Sequence, residues 1–281
     1  MPELPEVETV RRGLAALTTS QTIQGGEVPL ERSLAHPVSA AAFLAGLADC
    51  QITTWQRRGK YLLAPLRRDN MEAGWLGAHL RMTGQLLWLE RDVPLQLHTR
   101  ARLFFAAQKE LRFVDPRTFG RLWWVPPGQP VETIMTGLQK LGPEPFATEF
   151  TPAYLSDRLR RTRRPLKTAL LDQALVAGLG NIYADEVLFI SGLPPTQPAN
   201  SIDAAQIQRL HAAIQQVLTT AIAKGGTTFS NFLDLLGVDG HYGDAAYVYG
   251  RTGEPCRVCG TPIERCRLAG RSSHFCPRCQ T

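Results

Sequence analysis

The sequence predicts an α+β protein: an N-terminal helix on an antiparallel β-sandwich, then a helical domain, then a four-cysteine β-hairpin. Three observations carry this expectation. Short runs of alternating apolar and polar residues, separated by turn residues, fill positions 22–125. From about 131 to 224 the apolar spacing becomes helical. Near the C-terminus, Cys256-x2-Cys259 and Cys276-x2-Cys279 stand 16 residues apart.

In order along the chain, Val7, Val10, Leu14 and Leu17 share one helical face with Arg11 and Arg12 between them, predicting an amphipathic helix over 5–18. Examples of the strand-like runs are 51–55, 61–63, 85–89, 101–105, 110–114 and 121–125, with a short helix at 39–48. Pro126-Pro127-Gly128 and Gly142-Pro143 mark a boundary. Helices are expected at about 131–140, 152–162, 166–172, 181–190 and 203–224, the last ended by Gly225-Gly226. The expected division is 1–128, 129–245 and 246–281.

The cysteine spacing suits one tetrahedral zinc held by Cys256, Cys259, Cys276 and Cys279. Rubredoxin-like iron is the minor alternative, and a disulfide framework fits poorly in so long and cysteine-poor a chain. Cys50 and Cys266 fall outside the pattern and read as plain thiols.

A hydrophobic content of 44% over 281 residues supports real cores. No run of about 18 apolar residues predicts a membrane span, and acids crowd the start where a signal segment would be basic. A reduced, cytoplasmic setting is expected. The net charge of +6 is unevenly spread: residues 251–281 carry six arginines against two glutamates, and Arg158–Lys167 packs six basic groups into ten positions. A single such cluster is usually a solvated face; two beside a zinc module favour a nucleic-acid partner.

The start, Met1-Pro2-Glu3-Leu4-Pro5-Glu6, offers further chemistry. Removal of Met1 exposes Pro2 as a secondary amine, able to attack an electrophilic carbon and leave an iminium. An α-amino group titrates at about 7.7–8.0, so part of it is unprotonated near neutrality. Glu3 sets a carboxylate beside it for proton transfer. The plainer reading is that Pro5, Glu6 and Glu8 open a helix, where acids favour the positive end.

Six motifs in order carry a resemblance: MPELPEVET at the start, Arg58-Gly-Lys60, His79-Leu-Arg-Met-Thr-Gly84, Asp115-Pro-Arg-Thr-Phe-Gly120, Gly178-Leu-Gly-Asn-Ile-Tyr-Ala-Asp-Glu186 and Arg271-Ser-Ser-His-Phe-Cys-Pro-Arg-Cys-Gln280. Over nearly its whole length the chain resembles formamidopyrimidine-DNA glycosylase, the bacterial 8-oxoguanine DNA glycosylase. Leu4 favours this branch over endonuclease VIII, which typically has Gly there.

The resemblance implies a helix-two-turn-helix domain behind the sandwich, duplex DNA running in the cleft between the two, and a monomer. It implies a base-excision-repair glycosylase with AP lyase activity: Pro2 as nucleophile, Glu3 as proton donor, Glu6 holding the amine and first helix turn, and Lys60 contacting phosphate beside the lesion. Met82, Arg117 and Phe119 resemble the triad that fills the space of the flipped base. On pattern alone Met82 and Phe119 would more often be core. Thr118 stands where many members carry Arg. His98 and Lys167 resemble DNA-contacting positions, and Asn181 and Arg271 resemble phosphate grips. Asn181 is equally a helix-start residue, and an isolated Lys60 or His98 would read as solvated. Gly225-Gly226-Thr227-Thr228 resembles a loop that closes over the extruded base, though two glycines also suit a bare helix cap. Zinc is then structural. Two other readings stand beside this one: a preference for oxidised pyrimidines, and a non-catalytic DNA-binding protein.

Overall fold

The computed structural model describes residues 1–227 and 234–281; Thr228, the end of the Gly225–Thr228 segment, lies outside the described residues. The chain forms two compact units, 1–139 with 224–241 and 140–223 with 242–281.

In the first unit, α1 (Leu4–Thr18) carries Pro5 in its first turn and a capping box between Glu3 and Glu6. It buries Val7, Val10 and Leu14 on the predicted face. Then follow β1 (Gly25–Glu27), β2 (Leu34–His36), α2 (Ala40–Leu47), β3 (Gln51–Ile52), β4 (Gln56–Arg58), β5 (Tyr61–Arg68), β6 (Met71–His79), β7 (Gln85–Glu90), β8 (Thr99–Phe104), β9 (Lys109–Val114), β10 (Arg121–Val125) and α3 (Val131–Ile134). One sheet has the order β1-β8-β9-β7; the other has β2-β10-β6-β5-β3, with β4 paired to β5. Leu76, Ala78 and Leu122 of one sheet share the core with Leu103, Leu111 and Phe113 of the other. This is the expected sandwich.

Three details differ from the expectation. β2 pairs with β10 in parallel; with most of the unit between them, no tight turn imposes an antiparallel direction. β6 carries no clean alternation because Ala73, Gly74, Gly77 and Ala78 interrupt it; it is set by the hairpin turn Asp69-Asn70, both at positive φ (51° and 62°). The expected helix 131–140 shortens to α3 plus a 3-10 turn at Thr136–Lys140. Gly137 there lies so near Tyr61 that a Cβ would stand 2.1 Å from its hydroxyl.

The second unit holds α4 (Pro152–Arg160), α5 (Leu166–Leu170), α6 (Asn181–Ser191), α7 (Ala204–Ala223) and the hairpin of β11 (Glu264–Leu268) and β12 (Arg271–Phe275). Thr151 caps α4 through its side chain, and Gly192 ends α6 at φ 72°. α6 is buried on nearly every side, hence its weak amphipathic pattern. α7 packs on it and buries Ile207, Leu210, Ile214 and Leu218. Among the described residues, no helix is long and apolar enough to cross a membrane.

Candidate active site and nucleic-acid contacts

Pro2, Glu3 and Glu6 are all buried at the start of α1. Glu6 is a brace: its Oε2 accepts from the Glu3 N–H at 2.8 Å, and its Oε1 accepts from the Thr227 N–H at 2.8 Å and hydroxyl at 3.2 Å. One carboxylate thus ties the helix start to the segment after α7. Gly226 is needed there, at φ +81°, because a Cβ would stand 2.7 Å from Glu6 Oε1.

Lys60 follows Gly59 (φ 55°) in the two-residue turn joining β4 to β5, and is only 7% exposed. Tyr61 pairs across the sheet with His79, their rings edge-to-face at 4.5 Å. Burial, with the charges of Arg81 and Lys60, drops the His79 pKa to about 3. His79 is therefore a neutral imidazole near pH 7. Its Nδ1 instead accepts from the Arg81 N–H at 3.0 Å, shaping a turn in which Arg81 sits at φ 55°.

That turn presents Met82. The next residue, Thr83, donates to Asp115 Oδ1 at 2.5 Å, while Asp115 Oδ2 accepts from the Gly120 N–H at 2.7 Å. Thr83 Oγ1 also accepts from the Arg117 N–H at 3.3 Å. The loops 79–84 and 115–120 are thereby laced together through Asp115. Met82 and Phe119 stand 37% and 45% exposed, and the Arg117 guanidinium lies 4.8 Å over the Phe119 ring. These apolar side chains are surface groups on a fixed scaffold, so the core reading of them does not hold. Thr118 takes φ 58°, an uncommon conformation for a β-branched residue. His98 is half-buried, and its carbonyl accepts from the Asp115 N–H at 3.0 Å. Its loop is pinned by Arg112, which is fully buried, pairs with Glu110, and donates to the carbonyls of Val93 and Pro94. Sequence reasoning missed Asp115 as the knot; its place in the DPRTFG motif was the signal.

In the second unit, Asn181 opens α6, with Gly180 in the extended N-cap position. Its Oδ1 is buried and has no hydrogen-bond partner among the described residues. One turn on, Asp185 faces β12: its carboxylate accepts from the Ser273 hydroxyl at 3.1 Å and the His274 N–H at 2.9 Å. Lys167 completes this cluster, its Nζ 2.6 Å from both Asp185 Oδ1 and the Ser272 carbonyl. At 1% exposure Lys167 lies inside the unit as the ion-pair partner of Asp185. Arg271 is exposed at the start of β12, two residues before Ser273. Glu186, equally buried, accepts from the N–H groups of Tyr247, Val248 and Tyr249 and so anchors the segment leading to the hairpin.

The sulfurs of Cys256, Cys259, Cys276 and Cys279 lie within 4.8 Å of one another, with Cys256–Cys279 at 3.9 Å and Cys259–Cys276 at 3.5 Å. A tetrahedron with Zn–S of about 2.3 Å needs sulfurs roughly 3.8 Å apart, so the four residues fit one zinc ion. Four thiolates leave no open position, the mark of a structural site. Cys50 and Cys266 lie outside it.

Comparison with known proteins agrees over the whole chain. Family models match at residues 1–122 (formamidopyrimidine-DNA glycosylase N-terminal domain), 141–232 (its H2TH domain) and 253–281 (a zinc finger found in FPG and IleRS). Curated formamidopyrimidine-DNA glycosylases from Synechococcus sp. and Nostoc punctiforme are 61% and 62% identical, each covering 100% of this chain, which in turn covers 99% and 96% of theirs. Among solved structures, Lactococcus lactis Fpg with abasic-site DNA superposes with TM-score 0.89 at 36% identity, covering 99% of both chains. MutM (FPG) of Thermus thermophilus gives 0.87 at 40%, covering 99% of this chain and 98% of its own. The chain therefore belongs to the formamidopyrimidine-DNA glycosylase family.

Proposed function

We propose that this protein removes oxidised purines, 8-oxoguanine and formamidopyrimidines, from duplex DNA and then cleaves the strand as an AP lyase. The observation that carries this reading is the first turn of α1, where Pro2 and Glu3 are buried side by side and locked by Glu6. The nucleotide is first extruded from the stack, because the glycosidic carbon is inaccessible inside a duplex. With Met1 removed, the Pro2 nitrogen attacks C1′ and the bond from C1′ to the base breaks. Glu3 protonates the ring oxygen, and the sugar opens to an iminium. The iminium acidifies C2′; loss of that proton expels the 3′ phosphate, and a second elimination expels the 5′ phosphate. Glu6, both oxygens engaged, holds the geometry. Lys60 adds positive charge beside the sugar phosphate.

Met82, Arg117 and Phe119 fill the space the base leaves, with Arg117 bonding the orphaned cytosine; unstacking costs about a few kcal/mol, which an inserted wedge offsets. Asn181, at a helix N-terminus, and Arg271 take phosphates. His98 contacts DNA from the loop below Asp115. The protein acts as a monomer in the cytoplasm.

The test is a lesion panel. Single-turnover excision of 8-oxoguanine and formamidopyrimidine should exceed that of thymine glycol by at least tenfold, with a one-nucleotide gap as product. Preference for thymine glycol would move the protein to the oxidised-pyrimidine reading. Intact binding with no excision of any lesion would make it a binding protein.

A further inference from the structure

One carboxylate on α1 joins that helix to the turn bearing Lys60. Glu8 accepts from Arg11 (Nη2 at 2.9 Å) and Arg12 (Nε at 3.0 Å) on its own helix. Such neighbours three and four residues along are common on helix surfaces and contribute little each. The third guanidinium is of a different kind. Arg57, on β4, donates from Nε to Glu8 Oε2 at 3.1 Å, and from Nη1 to the Gly59 carbonyl at 3.1 Å. The Gly59 carbonyl belongs to the peptide plane from which Lys60 departs, and Gly59 itself is in the left-handed region. We propose that Glu8, acting through Arg57, is a positioning residue that sets the Lys60 turn against the helix start carrying Pro2 and Glu3.

Three features support a positional role over ordinary surface pairing. The side chains of Glu8 and Arg57 are only 13% and 11% exposed, so water and salt screen the pair far less than a surface one. The guanidinium is a rigid planar fork, and its two bonds fix the angle between helix and turn; a lysine would keep the charge and lose the angle. The same helix is held to the same segment elsewhere: Arg11 reaches the Trp55 carbonyl at 3.4 Å, and the Trp55 indole donates to Thr18 Oγ1 at 2.8 Å. A displacement on the order of 1 Å of a group acting on the reacting centre can cost about a hundredfold in rate.

The proposal rests on the reading that Pro2 and Lys60 serve one reaction. Its test is a double-mutant cycle on the full-length, Met-free protein: wild type, Glu8→Gln, Arg57→Lys, Lys60→Ala, and each of the first two variants combined with Lys60→Ala. Single-turnover excision, duplex Kd and Tm are measured on an 8-oxoguanine:cytosine duplex. Glu8→Gln and Arg57→Lys should each slow excision by about tenfold with Kd within about twofold, and should have no further effect once Lys60 is alanine. Arg57→Lys, which keeps the charge, covers the case in which Glu8→Gln folds poorly. If Lys60→Ala slows excision while both other variants are silent, or if their effects simply multiply with it, the proposal falls alone. If Lys60→Ala is itself silent, the role given to Lys60 falls and takes the proposal with it.

Discussion

At the scale of single residues, chemistry here depends on what each polar group is kept from doing. Glu6 spends both of its oxygens on the protein itself, one on the helix start and one on Thr227. His79, in a motif that invites an acid–base reading, is neutral and spends its Nδ1 on the Arg81 N–H. That gives a pH signature. Its folded pKa, about 3, lies below the ordinary 6.5, so the unfolded chain binds the extra proton first as pH falls. The stability it contributes is complete above 6.5 and is lost as pH falls towards 3. In His79→Asn, whose amide oxygen can replace the Nδ1 acceptor, Tm should fall less between pH 7.5 and 5 than in wild type. Parallel curves for the two proteins would show that His79 is not buried as a neutral ring. Sequence alone located these residues without showing their surroundings. On pattern alone Met82 and Phe119 would more often be core; both stand partly exposed, on loops that the Thr83–Asp115 bond joins.

At the scale of elements, the helical unit and the hairpin meet through buried charge. Lys167 from α5, Asp185 from α6 and the Ser272–His274 stretch of β12 form one cluster. Removing one partner strands the other without water, which costs about 3–5 kcal/mol. Asp185→Asn should therefore lower stability by about that much, whereas Lys167→Met with Asp185→Leu should recover most of it, since well-packed apolar pairs often equal buried ion pairs. Chemical denaturation of the three proteins measures this. A double variant no more stable than Asp185→Asn would mean that the hydrogen bonds to β12, and not the stranded charge, are what matter. The helices and hairpin were legible from spacing and from glycines. The inward turn of Lys167 was not, because a basic run carries no sign of which member faces the core.

At the scale of the whole molecule, the order of elements was legible almost throughout: helix, alternating strands, helices, cysteine hairpin. What escaped was long-range, namely the parallel β2–β10 pair and the assignment of 224–241 to the first compact unit, neither of which leaves a local pattern. The proposed chemistry turns on the second residue of the chain. Sodium borohydride trapping on an 8-oxoguanine:cytosine duplex, with intact mass establishing loss of Met1 and peptide mapping of the adduct, tests it most directly. The expected product is a covalent protein–DNA species whose only cross-linked residue is Pro2. An adduct that maps to a residue other than Pro2, or Met-free protein that excises the base without any trappable species, would contradict it.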